Sequence, residues 1–235
     1  MIGTLINIAG VAIGGLLGTR LGSKMPERLS QTVVVGLGLF VVGLGLQMFL
    51  KTQNSLVVAG SLLVGAMLGE WWQIEKRLRD LGAWLEKVIV GDRSMAKTGF
   101  VRGFLTSSLV FCIGPMAILG SIQDGLKGDY QVLAIKAILD TFASLAFGSS
   151  LGIGVVFSVL PLLIYQGGIT LLAAQVQSVV TPEMMNEMTA TGGLILVGLA
   201  ISSLLEIKPI RAGNFLPALI IAPLVVWILA RIGAM

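Results

Sequence analysis

The strongest constraint on this chain is a series of eight apolar segments, each close to the length of a membrane-crossing helix. A helix needs about 20 apolar residues to cross the hydrocarbon core of a bilayer. The segments cover residues 2–22, 31–50, 54–70, 101–121, 131–148, 151–176, 190–205 and 213–233. The fifth and sixth are nearly continuous, so counts of seven and eight spans both stay open. We predict an all-α fold, a polytopic transmembrane helix bundle of seven to eight spans that forms a single integral membrane domain over residues 1–235.

The composition excludes several other classes of protein. Charged residues make up 12% of the chain, whereas a soluble globular domain carries about 25%. The chain has no histidine, and Cys112 is its single cysteine, which excludes an internal disulfide and a histidine–cysteine metal site. Nucleotide-binding and hydrolase motifs are absent from the sequence. We expect no enzyme activity, no catalytic residues, no cofactor and no metal site.

The distribution of basic residues predicts the orientation in the membrane. With the N-terminus outside, 12 of the 16 lysines and arginines fall on the inner side and three on the outer side. Such an excess is typical of cytoplasmic loops, and with eight spans the C-terminus also lies outside. The basic residues therefore indicate the lipid bilayer, not nucleic acid, as the partner. Assembly into a homo-oligomer stays open.

The longest hydrophilic stretch, residues 71–98, has the pattern of an amphipathic helix. Its apolar residues recur at helical spacing, and they are Ile74, Leu78, Leu81, Leu85 and Val88. Tryptophans lie nearby, as is typical of helices at headgroup depth. We predict an interfacial helix on the cytoplasmic surface, which serves either as an anchor or as a regulatory or oligomer-forming element.

Two similar stretches predict an internal repeat. Residues 25–29 and 181–185 each contain Pro-Glu and each precede a glycine-rich span. With the predicted orientation these stretches lie on opposite sides of the membrane, so residues 1–70 and 151–235 form candidate inverted repeats. Many secondary transporters use such repeats, with broken helices at a site near the midplane. The alternative is that the two glycine- and leucine-rich runs are alike by chance.

Two regions carry acidic residues at or near membrane depth, where each ionisable group requires an explanation. Asp140 lies near the centre of the fifth span, with Lys136 four residues earlier on the same face. It is a candidate cation or proton site, or one half of a stabilising pair. Gln123 and Asp124 follow a span that Pro115 interrupts, and they are candidates for a site or for an ordinary loop.

Weaker signals come from small and neutral polar residues. The segment 147–154 is rich in glycine and serine, so we predict a break between two helical pieces there, with Ser149 as a candidate ligand or as part of a tight turn. Gln166 lies in a polar cluster that, like Pro161, interrupts the sixth span, and it is a candidate for bonding a solute or a neighbouring helix. Asn7, Asn214, Glu70 and Glu187 are expected to be packing or interfacial residues.

Several longer segments carry a resemblance to a known family. These are FVRGFLTSSLVFCIGPMAILGSIQDGL, ILDTFASLAFGSSLGIGVVFSVLPLLIYQGGITLLA, TGGLILVGLAI, NFLPALIIAPL and the opening INIAGVAIGGLLGTRLG with its following PERL. Together they resemble the YqgA/YdfK-like family of bacterial inner-membrane proteins, domain-of-unknown-function family 554. The resemblance implies an α-helical protein of the bacterial plasma membrane and gives no substrate. The matched segments contain Gln123, Asp124, Asp140, Ser144 and Gln166, which adds weight to these positions as a site.

Three functional hypotheses follow. The first is a transporter or ion-conducting protein for a small solute, driven by a gradient because ATP-binding motifs are absent, with the fourth to sixth spans as the pathway. The second is a membrane scaffold or sensor subunit that acts through residues 71–98. The third is a membrane-embedded enzyme, which the lack of histidine and of a nucleophile–base pair disfavours.

Overall fold

The structure, a computed structural model, describes residues 1–90 and 99–232, and this part of the chain is helical without strands. Its α-helices are α1 (Ile2–Gly22), α2 (Glu27–Phe49), α3 (Ser55–Trp72), α4 (Ile74–Val90), α5 (Phe100–Cys112), α6 (Pro115–Lys127), α7 (Gln131–Leu151), α8 (Val159–Leu171), α9 (Ala173–Val179), α10 (Pro182–Leu199) and α11 (Ala218–Arg231). Short 3-10 turns precede α8 and α11, and a π-helical turn, Ala200–Leu204, extends α10. Among the described residues, seven helices are long and apolar enough to cross a membrane, or eight if the bent pair α5–α6 is one span. The prediction of an all-α polytopic bundle is confirmed.

Helices α5 and α6 form the broken span that the sequence predicted at Pro115. The two pieces meet at a bend of 62°. Ile113 and Gly114 leave the helical conformation, and Pro115 begins α6. Proline has no N–H, so the carbonyl of Phe111 cannot receive the usual bond from four residues later. The break therefore exposes backbone polar groups in the middle of an apolar segment.

The boundary between α7 and α8 lies in the glycine- and serine-rich segment 147–154, where the sequence predicted a break. The break is at Gly152, whose φ of 81° is accessible mainly to glycine. The helix α7 continues through Leu151, so the break falls near the end of the predicted segment. Residues 165–168 also stay helical within α8, so they do not interrupt the span. The serines at the end of α7 and the glycines of α8 do not break these helices, because their backbone hydrogen bonds are made within the helix.

The chain divides into two compact units. Unit 1 contains residues 1–37 and 79–176, and unit 2 contains residues 38–78 and 177–235, of which 233–235 lie outside the described residues. The boundaries fall within α2, within α4 and within α9. The predicted inverted repeat of residues 1–70 and 151–235 stays a prediction.

The centre of unit 1 is the close pairing of α1 with α7. A row of glycines on α1 faces α7, namely Gly3, Gly10, Gly14, Gly18 and Gly22. Gly3 faces Leu133, whereas Gly18 lies against the backbone of Leu145, so the two helices run parallel. A methyl group at Gly18 would collide with the Leu145 carbonyl, which explains why this stripe needs glycine.

The parallel pairing bears on the number of spans. If α1, α2 and α3 each cross once, α4 lies on the side opposite the start of α1. Helix α7 can then run parallel to α1 only if the α5–α6 pair also crosses the bilayer. The geometry of unit 1 thus favours one broken span at α5–α6 and eight spans in total.

Two groups of polar contacts, one around Glu187 and one around Asn214, stabilise unit 2 together with an apolar core. Glu187 on α10 is fully buried and accepts bonds from the backbone nitrogens of Gln53 and Asn54 and from Thr52 Oγ1. Asn214 accepts from the Glu75 nitrogen at 2.7 Å and donates to Glu70 at 2.6 Å. These residues anchor loops, in agreement with the packing roles expected for them.

The predicted interfacial helix begins three residues after the start of the predicted stretch 71–98. Helix α4 begins at Ile74 because Gln73 adopts a left-handed conformation that ends α3. Residues 91–98 lie outside the described residues. In the part of α4 that belongs to unit 1, Leu85 packs against Phe100 and Phe104. Leu81, Trp84 and Val88 are exposed and share one face, as an interfacial helix requires.

Candidate functional site

Four polar side chains from three helices meet inside unit 1. We name them the Asn7 cluster, and they are Asn7 of α1, Lys136 and Asp140 of α7, and Gln166 of α8. Asn7 Nδ2 donates to Asp140 Oδ2 at 3.0 Å and to Gln166 Oε1 at 3.3 Å. Lys136, one turn before Asp140, donates to the same carboxylate oxygen. The cluster is therefore one continuous chain of hydrogen bonds across α7, α1 and α8.

The cluster is almost entirely removed from solvent. Asn7 and Gln166 are 0% exposed, Lys136 is 6% exposed and Asp140 is 8% exposed. Burying two opposite charges is costly unless they are paired and hydrogen-bonded. Lys136 and Asp140 meet that condition because each neutralises the other. The expectation that they pair on one helix face is confirmed by their contact.

Two atoms of the cluster remain without partners. Asn7 Oδ1 and Gln166 Nε2 are buried and have no hydrogen-bond partner among residues 1–90 and 99–232. Rotating the Asn7 amide would not help, because the Asp140 carboxylate only accepts and so fixes Nδ2 towards itself. That nitrogen in turn fixes the Gln166 oxygen. An unmet acceptor and an unmet donor therefore lie within one buried cluster, a costly arrangement in a site without a ligand.

The helix break at α5–α6 lies along the same stretch of α7 as the charged pair. Gly120 of α6 contacts Leu133 of α7, and the ring of Phe111 of α5 packs against Phe147 of α7. The carbonyl that Pro115 frees therefore belongs to the part of the α5–α6 span that packs along the stretch of α7 with Lys136 and Asp140. Irregular backbone at membrane depth is tolerated where it is buried in protein or lines a water-filled cavity.

Asp124 and Gln123 do not join the Asn7 cluster by any described hydrogen bond. Asp124 is buried, accepts from the Gly3 backbone nitrogen at 3.0 Å and lies 2.9 Å from the Met1 nitrogen. It binds the first turn of α1, where backbone N–H groups have no helical partner. Gln123 Oε1 is buried and has no partner within the described part of the chain. Asp124 thus has a clear structural contact, and Gln123 keeps an open acceptor.

Ser144 and Ser149 lie along the α1–α7 contact. Ser144 Oγ donates to the Thr141 carbonyl and its side chain packs against Gly14. Ser149 Oγ donates to the Ala146 carbonyl, at the end of α7. Both hydroxyls are bonded to their own helix, so they are packing residues in this conformation.

Sequence reasoning missed the central position of Asn7. It was expected to be a packing residue, yet it contacts both Asp140 and Gln166. Thr4 and Thr170 extend the polar contact one turn further, with their hydroxyls 3.5 Å apart. The signal available in the sequence was an asparagine, Asn7, inside an apolar span. What the sequence could not show is which two helices it faces.

The fold defines a multi-pass α-helical membrane protein, and the buried charged and polar Asn7 cluster is its candidate site. More particularly, the chain belongs to the family described as protein of unknown function (DUF554), whose model matches residues 2–227.

Two relatives cover nearly the whole chain. "Uncharacterized protein YqgA" of Escherichia coli (strain K12) is 32% identical over 223 residues, 94% of each chain. "Uncharacterized membrane protein YdfK" of Bacillus subtilis (strain 168) is 27% identical over 237 residues, 99% of each chain. No solved structure matches the chain. The resemblance inferred from the sequence is confirmed, and it gives membrane character without an activity.

Proposed function

We propose that this protein is a gradient-driven, non-enzymatic transporter or ion-conducting protein for a small solute in the bacterial plasma membrane, and that the Asn7 cluster is its binding site. The observation that carries the proposal is the unmet donor and acceptor of Gln166 and Asn7 in full burial. Intramembrane ionisable residues with open polar partners mark solute and ion pathways more often than they mark packing.

The broken helix supports the same function. Transporters commonly place substrate and ion sites where a discontinuous helix presents backbone groups at mid-membrane. Here the α5–α6 break packs along the stretch of α7 that carries the Lys136–Asp140 pair. In this proposal Asp140 handles the cation or proton, and Gln166 gives its Nε2–H to the solute. Gln123, through its open oxygen, would line the route from the α6 side.

A scaffold or sensor acting through α4 is the competing function. Its exposed residues Leu81, Trp84 and Val88 favour a helix that lies in the membrane interface. That position is equally compatible with a simple anchor for a transporter. The buried unmet groups of the Asn7 cluster have no role in a scaffold, so we favour transport.

The test is uptake into vesicles that contain the purified full-length protein. A panel of labelled amino acids, amines and organic acids, together with rubidium and sodium ions, is offered under imposed sodium, potassium and proton gradients. At least one compound should enter faster than into empty vesicles. The variant Gln166→Leu removes the unmet donor and should abolish this uptake while leaving the protein folded.

The matched control is Gln47→Leu, the same substitution at an exposed position of α2. It should transport like the wild type. Uptake that is equal in wild type, Gln166→Leu and empty vesicles for every compound would contradict the proposal. Uptake that survives Gln166→Leu would move the pathway away from the Asn7 cluster.

A further inference from the structure

The Lys136 ammonium binds the Asp140 carboxylate oxygen to which a free cation would bind. Its ammonium shares one carboxylate oxygen with the Asn7 amide. The unpaired Oδ1 belongs to that same amide. Because the two amide atoms share one carbon, Oδ1 lies within one small ion's reach of the carboxylate. Removing the ammonium would leave a charged and a neutral oxygen ligand without a cation between them.

Resting on the proposed transport function, we propose that Asp140 and Asn7 form a site for a monovalent metal cation, and that Lys136 is a tethered competitor that binds the Asp140 carboxylate when the cation is absent. The cation replaces an ammonium of equal charge, so the buried charge balance is the same in both states. Proton transfer is not required. Lys136 keeps its charge and moves away.

The position of Lys136 on α7 makes that movement feasible. It lies five residues after the start of the helix at Gln131, about 8 Å along the axis at the rise of an α-helix. Lysine side chains on a helix naturally point towards its N-terminus, and long basic side chains extend to the membrane boundary. Asp140 has a short side chain at mid-helix and has no such exit. The pair is therefore asymmetric, with a mobile cation and a fixed anion.

The donor set argues for a monovalent ion. Asp140 is the single carboxylate of the Asn7 cluster, and Asp124 is already engaged by the start of α1. Across residues 1–90 and 99–232, no group of three or more Asp, Glu, Cys or His gathers in a way that could hold a metal. Divalent cations such as calcium usually take several oxygen ligands with more than one carboxylate. One carboxylate with neutral oxygens balances one positive charge.

The experiment measures thermal unfolding of purified full-length protein in detergent, titrated with sodium or potassium chloride at constant ionic strength set by choline chloride. Lys136→Met removes the tether and leaves Asp140 unpaired. It should be strongly destabilised in choline and recover stability in a saturable manner with sodium or potassium. The cation concentration that half-saturates Lys136→Met should be about ten-fold below the one that half-saturates the wild type. In the wild type Lys136 occupies Asp140 most of the time, so only the remaining fraction of the protein is competent to bind the cation.

Three comparisons complete the test. Lys127→Met, which removes an exposed lysine at the end of α6, should behave like the wild type. The double variant Lys136→Met with Asp140→Asn should show no cation response. If Lys136→Met does not fold, Lys136→Gln is titrated in its place, and Asp140→Asn alone should remove the wild-type response.

Choline and metal salts acting equally on the Lys136 variants would overturn the tethered-cation site. This result is distinct from failure of the proposed function. If sodium and potassium do not restore the stability of the Lys136 variant while uptake by the wild type is intact, the cation site alone is rejected. Saturable rescue with no uptake of any compound rejects transport and leaves a cation-binding membrane protein.

Discussion

Asn7 Nδ2 on α1 donates to Asp140 Oδ2 on α7 over 3.0 Å, and this bond joins the two helices that pack along the glycine stripe. The same nitrogen reaches Gln166 on α8. The parallel approach of α1 and α7 therefore does more than fill space. It brings an amide from the first span against a carboxylate from the middle of the chain, and so assembles a polar site that no single segment contains.

The asymmetry of the charged pair predicts unequal effects of removing its two members. Lys136→Met should lower the free energy of unfolding in choline by about 3 to 5 kcal/mol, because a buried carboxylate is left unpaired. Asp140→Asn should cost less, about 1 to 2 kcal/mol, because the lysine can extend to the membrane boundary and Asn keeps a bond to Asn7.

Thermal unfolding in detergent, or urea unfolding where it is reversible, measures both variants side by side. The double variant completes the cycle and gives the coupling between the two residues. Equal costs for the two single changes would show that Lys136 is as confined as Asp140. A larger cost for Asp140→Asn would contradict the mobile-lysine interpretation.

The glycine stripe predicts a steep positional effect of one methyl group. Gly18→Ala places a Cβ against the Leu145 carbonyl and should destabilise the protein by about 1 to 3 kcal/mol through overpacking. Gly36→Ala in α2, where nothing lies within 4 Å, is the control. It should be neutral or stabilising by up to about 1 kcal/mol, because alanine favours a helix more than glycine does.

Size-exclusion profiles after a heating series suffice to rank these variants. If Gly18→Ala is as stable as Gly36→Ala, α1 and α7 are not in close contact in the membrane. The parallel pairing of α1 with α7 would then be contradicted, and with it the count of eight spans.

The fold was largely predictable from the sequence, and the site only in part. Apolar length alone located the spans to within a few residues. The largest error is at α10, which begins at Pro182, eight residues before the predicted start, because two glutamates, an asparagine and a threonine lower the hydropathy of its first two turns. Asp140 and Gln166 were chosen as candidates, with Lys136 as a partner of Asp140, because ionisable and amide groups at membrane depth are exceptional. Ser144 and Ser149 were candidates for which the structure gives bonds to their own helix.

Asn7 could not be assigned from the sequence because its role depends on packing between distant segments. It lies 133 residues from Asp140 and 159 residues from Gln166 along the chain. A helical pattern shows which face a residue shares with its neighbours on one helix. It does not show that the glycine face of the first span meets the middle of the seventh helix.

Glu187 gives a prediction for unit 2. Its carboxylate accepts from Thr52 Oγ1 and from the Gln53 nitrogen, both at 2.6 Å. In Glu187→Gln the amide oxygen still accepts from the two backbone nitrogens, but an NH2 group replaces the charged acceptor of the Thr52 hydroxyl, so the change should cost about 1 to 3 kcal/mol. Glu183→Gln, one turn earlier and exposed, is the control and should change stability little. Similar melting temperatures for the two variants would contradict the anchoring role of Glu187.

The predicted topology can be decided by cysteine labelling in intact cells. In a Cys112→Ser background, single cysteines replace Lys24, Asp80 and Asp129, all of them exposed. If the α5–α6 pair crosses as one broken span, position 129 lies outside and reacts with a membrane-impermeant maleimide. Positions 24 and 80 lie on the cytoplasmic side, as the positive-inside rule predicts, and react only after the cells are permeabilised. Outside labelling of position 80 would reverse the orientation. Protection of all three positions would mean that the α5–α6 pair returns to the side it entered, which is incompatible with α1 and α7 running parallel across the bilayer.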